Sequence, residues 1–536
     1  MKVSCNDTRN TPLVTPPEVA ADILRFEFNR NLGQITRQSG VFFAGTMFTM
    51  AASYLIKIYV ARVLGAEQLG LYALGMTLVS LTQLVGLMGL QGTAARYVAV
   101  YNGTGKFDEL RGFLTRSLTV VFLLNLVLSI GLLLSGRWIA RNLYHAPDLV
   151  RYIPLFAILM FLGSLNAFYF QLLAGFKDVA RRTVITNFIG SPLAIALTVV
   201  LLALGMGMWG YLVAQIATAI VVVTLLVTAA LKLTPRAARF SLSTLPPMDP
   251  EIKSFAAAAF GMGALDFLWT QADKILLGFY LNATVVGVYV LASTLAAFIP
   301  IILQSVNQIF APVIADLHAQ DRLDILQRLF QTLTKWVLGL TIPLAFVVIV
   351  FAPRLMRIFG PDFEAGWPVL VIAAIGQLVN CAVGSVGYLL LMSGNQRRLI
   401  RVQFAMAGVS VLINVSLIPV LGIVGAALAA ACVNVGSNLW NLFEVRKALR
   451  IVPYNRGYFG LLIPTVLAAS TVVLLRFWTV SVGHTWLVIF LALVLSYAVF
   501  AGFAAAYGLD PDDQMIARSA WLQLRGGLQN LRFRAS

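Results

Sequence analysis

Four charged residues lie inside long apolar stretches, where an ionised side chain is costly. Two are cations, Lys57 and Lys274, and two are acids, Asp266 and Asp273. A charge at the centre of a bilayer costs about 2.5–3.5 kcal/mol on insertion scales, so such residues usually face a protein interior and serve a function. The cations are suited to binding an anionic group, and a desolvated carboxyl is suited to holding and releasing a proton.

The two lysines occupy equivalent places in an internal repeat. They are 217 positions apart, the offset that also relates Gly70-Leu71-Tyr72 to Gly287-Val288-Tyr289. Two related apolar halves are typical of a transporter whose substrate site lies between the halves. An axis along the membrane normal would put both lysines at the same depth, so we predict that they bind substrate together. The alternative is that each lysine reaches outward to the lipid headgroups.

The two aspartates are predicted to act in coupling or gating. Asp266 and Asp273 are seven residues apart, so both side chains lie on one face of a helix. Burial would raise the pKa of such a carboxyl and allow it to change protonation during a transport cycle. The alternative is that each aspartate is a hydrogen-bonded acid that orders the helix bundle.

Further candidate substrate contacts come from residues near the ends and in the middle of predicted helices. Gln91 and Gln308 are another pair with the repeat offset, and Asn307 precedes the second of them. These amides are suited either to lining a wet cavity or to holding helices together, at about 0.6 kcal/mol per bond. Arg62, at the outer end of the first predicted helix, is the fourth candidate, and its alternative role is an interface anchor.

Composition predicts the elements that hold these residues. Of 536 residues, 59% are hydrophobic and 11% are charged, and the mean hydropathy is +0.85. Globular domains contain roughly 25% charged residues. Runs of about 20 apolar residues predict about 14 transmembrane helices. The predicted fold is an all-α polytopic membrane protein with two parallel six-helix repeats plus two extra C-terminal helices.

The distribution of basic residues predicts the orientation of these segments. In chain order we predict a cytoplasmic N-terminal segment (1–40), a six-helix bundle (41–232), a cytoplasmic linker (233–255), a second six-helix bundle (256–445), two additional helices (446–506) and a cytoplasmic tail (507–536). With both termini in the cytoplasm, the inner segments hold 30 of the 39 basic residues and the outer loops hold 7. This placement predicts a plasma-membrane protein, and it explains the net charge of +17 without a nucleic-acid partner.

The sequence gives no support to an enzymatic function. Gly103-Thr104-Gly105-Lys106 lacks the first glycine of a phosphate-binding loop, and Phe107 follows the lysine. The three histidines, His145, His318 and His484, are isolated from one another, and the three cysteines form no motif. We therefore predict no catalytic residue, no metal site and no cofactor.

Three motifs resemble those of polysaccharide and O-antigen flippases. Residues 61–72 read Ala-Arg-Val-Leu-Gly-Ala-Glu-Gln-Leu-Gly-Leu-Tyr, which is similar to the Ala-Arg-x-Leu-Gly-x-x-x-x-Gly-x-Tyr stretch of that family. Residues 273–279 resemble its Asp-x-x-Leu-Leu-Gly seventh helix, and residues 421–426 resemble its eleventh-to-twelfth turn. Together with the predicted helices, the likeness extends over roughly residues 30–506.

The resemblance implies a flippase of the polysaccharide branch of the multidrug/oligosaccharidyl-lipid/polysaccharide exporter superfamily. Such a protein moves undecaprenyl-diphosphate-linked oligosaccharide from the inner to the outer leaflet by alternating access, for O-antigen, capsule or exopolysaccharide synthesis. The implied partners are that lipid-linked oligosaccharide, membrane lipids, a polysaccharide polymerase and glycosyltransferases. Two alternatives stay open: a cation-coupled multidrug antiporter of the same superfamily, and a non-transporting component of a polysaccharide assembly complex.

Overall fold

The computed structural model describes residue 52 and residues 54–238, 249–478 and 485–506. All regular elements in these residues are helices, which confirms the predicted all-α class. The predicted segments 1–40 and 507–536 lie outside the described residues, as do residues 239–248 of the predicted linker.

Six α-helices lie in the described residues of the first half, and a break at Met88 and Gly89, both with positive φ, separates the first two. Their bounds are α1 Tyr54–Leu87, α2 Leu90–Gly103, α3 Phe107–Leu143, α4 Pro147–Gly175, α5 Val179–Ala203 and α6 Gly207–Leu233.

Eight α-helices lie in the described residues of the second half, and two more follow them. Their bounds are α7 Pro250–Tyr280, α8 Ala283–Ala296, α9 Ile301–Ala319, α10 Leu323–Val350, α11 Ala352–Arg357, α12 Trp367–Val383, α13 Val386–Met392, α14 Gln396–Leu449, α15 Leu462–Trp478 and α16 Thr485–Ala506.

Helix α14 is two helices joined at a glycine. It has 54 residues, and Gly422 in its middle has φ +56° and ψ −130°. That φ favours glycine because a β carbon would clash. A straight helix of this length would be about 80 Å long, far more than the ~30 Å hydrocarbon core of a bilayer. The two arms lie side by side, since Arg398 on the first arm pairs with Glu444 on the second at 2.7 Å.

Many helices are suited to a membrane, although their number differs from the prediction. Among the described residues, eight helices are long and apolar enough to cross a bilayer, or nine if the pair α8 and α9, bent by 54°, counts as one crossing. Helix α7 is outside this set because its polar and charged residues lower its hydropathy. Two of the eight, α1 and α14, contain a glycine with positive φ in their interior, Gly65 and Gly422. The count of fourteen therefore stays a prediction.

The two halves share one apolar core at one end of the molecule, whereas at the other end each half has a core of its own, and the start of α7 packs in that of the first half. The shared core joins Val60 and Leu71 of the first half to Val286 and Phe363 of the second. We call this the seam end, and the loops there are the ones predicted to face outward. At the opposite end, one core contains Leu110, Phe168 and Leu226, and a second contains Phe310, Phe330 and Val445.

Helix α7 contacts the first half although it belongs to the second. Its early residues Ile252 and Ala256 lie in the core of the first half. The Tyr97 hydroxyl of α2 donates to Glu251 Oε1 at 3.1 Å. The α7 helix also packs along α14, so it contacts both halves.

Helices α15 and α16 pack on α10. Tyr497 of α16 donates its hydroxyl to the carbonyl oxygen of Leu340 at 2.7 Å, and Arg476 of α15 donates to that of Val350 at 2.9 Å. Leu340 lies one turn before Pro343, which supplies no N–H to the α10 ladder. The two additional helices are therefore attached to the second half.

Candidate functional site

Two repeat-related glycines bring the halves into backbone contact at the seam end. A β carbon on Gly70 of α1 would overlap the carbonyl of Ala283, and one on Gly287 of α8 would overlap the carbonyl oxygen of Ala66. Ala66 and Ala283 are themselves 2% and 7% exposed. We call these four residues the seam. Small residues at a helix crossing allow the close packing on which helix association in a membrane depends.

Arg62 strengthens the same contact. Its Nε donates to the carbonyl oxygen of Ile358 at 2.7 Å, which joins the first part of α1 to the loop after α11. Its side chain is otherwise exposed. Gly65 lies next to that loop, since a β carbon there would lie 3.8 Å from Asp362 Oδ2. The structure therefore places Arg62 in the contact between the halves, and its predicted role in substrate binding is untested.

Tyr144 belongs to the seam end as well. It follows α3, is 1% exposed, and packs against Gly278 of α7. Burial in this apolar contact raises the pKa of the Tyr144 hydroxyl to about 12. The phenol is thus neutral at physiological pH, as an apolar contact requires.

Lys57 lies beside a contact between the halves. Its side chain is exposed and its ammonium nitrogen is 5.2 Å from the centre of the Tyr54 ring. The Tyr54 hydroxyl donates to the carbonyl oxygen of Thr294 in α8 at 3.1 Å, and its ring contacts Phe298. Lys57 is therefore one helical turn from the boundary between the halves, on α1.

Lys274 is half-buried and bonded to its own helix. Its ammonium group donates to the carbonyl oxygen of Thr270 at 2.5 Å and to Gln271 Oε1 at 3.0 Å. Both acceptors are neutral, so these two hydrogen bonds do not neutralise the positive charge, which is suited to binding an anion. That Lys57 and Lys274 bind one anion together stays a prediction.

Asp273 connects α7 to α8. Its Oδ2 accepts a hydrogen bond of 2.6 Å from the hydroxyl of Tyr289, which is 1% exposed. Its Oδ1 accepts from the backbone N–H of Lys274 at 2.8 Å. Tyr289 is two residues beyond Gly287, so the Asp273 carboxylate is bonded to a side chain next to the seam. A change at Asp273 is therefore expected to alter the packing at Gly287.

Asp266 lines a cavity of about 340 Å³ between α7 and both arms of α14. Its carboxylate is exposed to that space. Asp266 and Asp273 thus have different surroundings, although they share a helix face. The predicted coupling role of either acid is untested.

The predicted amide contacts also differ in their surroundings. Gln91 and Gln308 are exposed, and Gln91 is the second residue of α2, directly after the break at Met88 and Gly89. Asn307 is 8% exposed, and its Oδ1 has no hydrogen-bond partner among the described residues. Their binding of substrate stays a prediction.

A row of polar side chains on the second arm of α14 was not predicted from the sequence. Asn434, Ser437, Asn438 and Asn441 are spaced i, i+3, i+4 and i+7, which places them on one helix face. Asn438 Nδ2 donates to both oxygens of Asn434 at 2.9 Å, and Ser437 and Asn441 line the cavity at Asp266. The spacing of these residues is visible in the sequence and could have identified the row.

A comparison with protein families identifies the chain. The profile of polysaccharide biosynthesis proteins matches residues 59–364, a stretch that covers more than half of the sequence and includes the seam, Lys274 and both aspartates. The chain belongs to the polysaccharide biosynthesis protein family. This confirms the resemblance described for residues 61–72.

Two relatives of this family member carry names related to transport. The probable flippase AglR of Haloferax volcanii is 22% identical over 442 residues, which are 79% of this chain and 86% of AglR. The succinoglycan biosynthesis transport protein ExoT of Rhizobium meliloti is 23% identical over 358 residues, which are 66% of this chain and 68% of ExoT.

Solved structures show that the family member shares its fold with a lipid II flippase and with multidrug transporters. The lipid II flippase MurJ, in an inward closed conformation, superposes with a TM-score of 0.68 and 14% identity over 87% of this chain and 98% of MurJ. An inward-facing multidrug resistance MATE transporter superposes with a TM-score of 0.60 and 17% identity over 76% of this chain and 94% of that transporter. The protein is thus a multi-pass membrane protein whose fold is shared by flippases and drug transporters.

Proposed function

We propose that the protein is a flippase that moves undecaprenyl-diphosphate-linked oligosaccharide from the inner to the outer leaflet for O-antigen, capsule or exopolysaccharide synthesis. The observation that carries this proposal is the pairing of one shared core at the seam end with two separate cores at the opposite end. Family membership and relatives named as a flippase and a transport protein support the choice of cargo.

The arrangement of cores supports alternating access. The halves share one core at the predicted outer side, whereas at the opposite end the start of α7 joins them; in this proposal the substrate space between them opens toward the predicted cytoplasmic side. Transport then requires the seam to open and the opposite end to close, by rocking of the bundle 41–232 against the bundle 256–445. Packed interfaces of this kind switch between discrete arrangements. Helices 446–506 would move with the second bundle, since they pack on α10.

In this proposal Lys57 and Lys274 hold the diphosphate. A diphosphate cannot enter hydrocarbon without compensating charge, and a lysine is a compact cation that does not demand a fixed bidentate geometry. Gln91, Asn307 and Gln308 offer amides to the saccharide. Arg62 joins the two halves at the seam end, and it is also proposed to contact the substrate.

Asp266 and Asp273 are proposed to couple and gate the cycle. Asp273 holds Tyr289 beside Gly287, so a change in its protonation would alter the hydrogen bond that supports the seam. The Asp266 carboxylate is accessible from a cavity, as a coupling group must be. Transport by Asp266→Asn that kept the normal dependence on pH and on ion gradients would contradict the coupling role.

The proposed location is the plasma membrane with both termini in the cytoplasm. Glycosyltransferases would supply the lipid-linked oligosaccharide on the inner leaflet, and a polysaccharide polymerase would consume it on the outer leaflet. Deleting the gene is expected to abolish the surface glycan and to accumulate the lipid-linked intermediate.

The decisive experiment uses the purified protein in liposomes that contain a fluorescent undecaprenyl-diphosphate oligosaccharide in both leaflets. The fraction accessible to a membrane-impermeant quencher is expected to rise from about half to nearly all, because the protein equilibrates the leaflets. No acceleration over protein-free liposomes would contradict the proposal. Proton-driven export of a cationic dye, without movement of the oligosaccharide, would instead identify an antiporter.

A further inference from the structure

The cavity at Asp266 is built by three helical segments that each contribute a polar side chain. Asp266 and Trp269 come from α7, Gln403 from the first arm of α14, and Ser437 and Asn441 from the second arm. The spacings 266–269 and 437–441 are those of residues on one helix face. The Arg398–Glu444 ion pair joins the two arms of α14 one turn from Asn441 and fixes the distance between them.

The size of the cavity fits one ring of a small polar ligand. Its volume is about 340 Å³, at the lower end of the roughly 300–1,000 Å³ typical of ligand sites. Apolar side chains such as Met262 and the ring of Trp269 line it together with the polar groups. Such a lining suits a ligand with one apolar face and a polar edge.

Asn441 is a lining residue of the cavity that carries a buried hydrogen-bond acceptor left unsatisfied within the described part of the chain. The residue is 8% exposed, and its Oδ1 has no hydrogen-bond partner among the described residues. A buried polar atom without a partner costs about 1–3 kcal/mol, so native proteins rarely keep one without a reason. The Asp266 carboxylate is a second acceptor on the same cavity. A ligand that carries several hydroxyl donors would satisfy both groups.

We infer that this cavity binds a pyranose residue of the transported oligosaccharide. A pyranose has a face of C–H bonds that stacks on an indole ring, and hydroxyl groups around its edge that hydrogen-bond to carboxylate and amide groups. A diphosphate does not fit, since the residues that line the cavity include an acid and no lysine or arginine. The inference rests on the proposed function, and it assigns the sugar to a site separate from the lysine pair.

A cationic apolar compound is the main competitor for such a site. It would be attracted by the Asp266 carboxylate and the face of Trp269. It would leave the amides of Gln403 and Asn441 unused, because it brings no hydroxyl groups to them. The two ligand classes are therefore distinguished by the effect of Asn441.

Saturation-transfer NMR on the purified full chain in detergent tests the inference. The probes are the methyl glycosides of glucose, galactose and N-acetylglucosamine, with tetraphenylphosphonium as the cationic competitor. We expect transfer to the ring C–H protons of at least one glycoside, and about tenfold weaker binding for Trp269→Ala and for Asn441→Leu. Trp269→Phe should retain most of the transfer because it keeps an aromatic face.

The matched control is Trp367→Ala, which removes a 45% exposed tryptophan at the start of α12, outside the cavity. It should bind glycosides as the unaltered protein does. Equal transfer to Trp269→Ala and the unaltered protein, transfer to no glycoside, or displacement of a bound glycoside by tetraphenylphosphonium alone and not by other glycosides would each overturn the inference. Normal oligosaccharide flipping by Asn441→Leu and Trp269→Ala would also overturn it while leaving the flippase function intact, whereas absent flipping by the unaltered protein would refute that function itself.

Discussion

At the scale of single residues, the first prediction concerns Lys57 and Lys274, the proposed ligands of the diphosphate. Replacing Lys57 and Lys274 together with Gln should reduce oligosaccharide flipping by at least about tenfold, because the diphosphate loses its compensating charge. The double Arg variant should keep part of the activity. The measurement is the quencher-accessible fraction in liposomes, at equal protein content.

The single variants show whether the two lysines act as a pair. Binding of one anion by both predicts that the effects of Lys57→Gln and Lys274→Gln do not add, since neighbouring charges couple. Full activity of the double Gln variant at normal expression would rule out a role in binding the diphosphate.

Tyr144 gives a prediction about alkaline pH. In the unfolded chain its hydroxyl loses a proton near the ordinary pKa of 10.0, whereas in the folded protein it keeps the proton to about 12. Stability is therefore fully present below pH 10 and falls as the pH rises through 12, by about 2–3 kcal/mol. Tyr144→Phe should melt like the unaltered protein at pH 9 and higher than it at pH 11.5. Equal losses in both proteins would show that Tyr144 is not the group responsible.

The sequence identifies charged residues in apolar helices better than it identifies their partners. Lys57, Asp266 and Asp273 were evident because charge is rare there. The bond from Arg62 to Ile358 could not be foreseen, since it joins residues 296 positions apart. The amides lining the cavity near Asn441 were overlooked because neutral polar residues also serve as ordinary contacts between membrane helices.

At the scale of helices, the seam predicts that Gly70→Ala and Gly287→Ala stop the halves from closing. Each added β carbon would overlap a backbone carbonyl that cannot move independently of its helix. Both variants should lose flipping. Labelling of an Ala66→Cys reporter, in a protein without other cysteines, should rise severalfold because the seam opens.

Gly408→Ala is the matched control for the seam variants. It lies in the first arm of α14, where an added β carbon meets no atom within 4 Å. Alanine is also the better helix former by about 1 kcal/mol, so this variant should fold and transport normally. Low labelling of the Ala66→Cys reporter in Gly287→Ala would contradict the proposed seam.

Hydrophobic runs predict where helices lie but not where they bend. The turn at Gly422 was evident, because a glycine interrupts two apolar runs. The break at Met88 and Gly89, where Gly89 has φ +74°, was not predicted from the sequence. At this break α1 and α2 meet a distant helix, since a β carbon on Gly89 would overlap the carbonyl oxygen of Ala256 in α7. The residues around Gly89 give no indication that α7 packs against it.

At the scale of the whole molecule, basic residues predict the orientation in the membrane. A cysteine at Asp148, in an outer loop by prediction, should react with an impermeant maleimide in intact cells. One at Lys106, in an inner loop, should react only after the cells are opened. Both side chains are exposed, so accessibility within the protein does not limit labelling. The reverse pattern would place the seam end in the cytoplasm.

The repeat predicted two halves but not which end is closed. Both arrangements of a transporter bury the same helices and differ by only a few kcal/mol, so hydrophobic patterning is identical in the two. The decision depends on contacts between the halves, such as those of Gly70, Gly287 and Tyr54. These contacts follow from the tertiary structure.

The seam also constrains how the chain is made. Gly287 leaves the ribosome 217 residues after Gly70, a delay of roughly 10–40 seconds at ordinary rates of synthesis. During that interval the small-residue face of α1 has only lipid against it, and lipid covers it without hydrophobic cost. Because the two faces are related by the repeat, two unfinished chains on neighbouring ribosomes present surfaces that complement each other. Where many copies are inserted close together, we therefore expect dimers in which the first half of one chain packs against the first half of another.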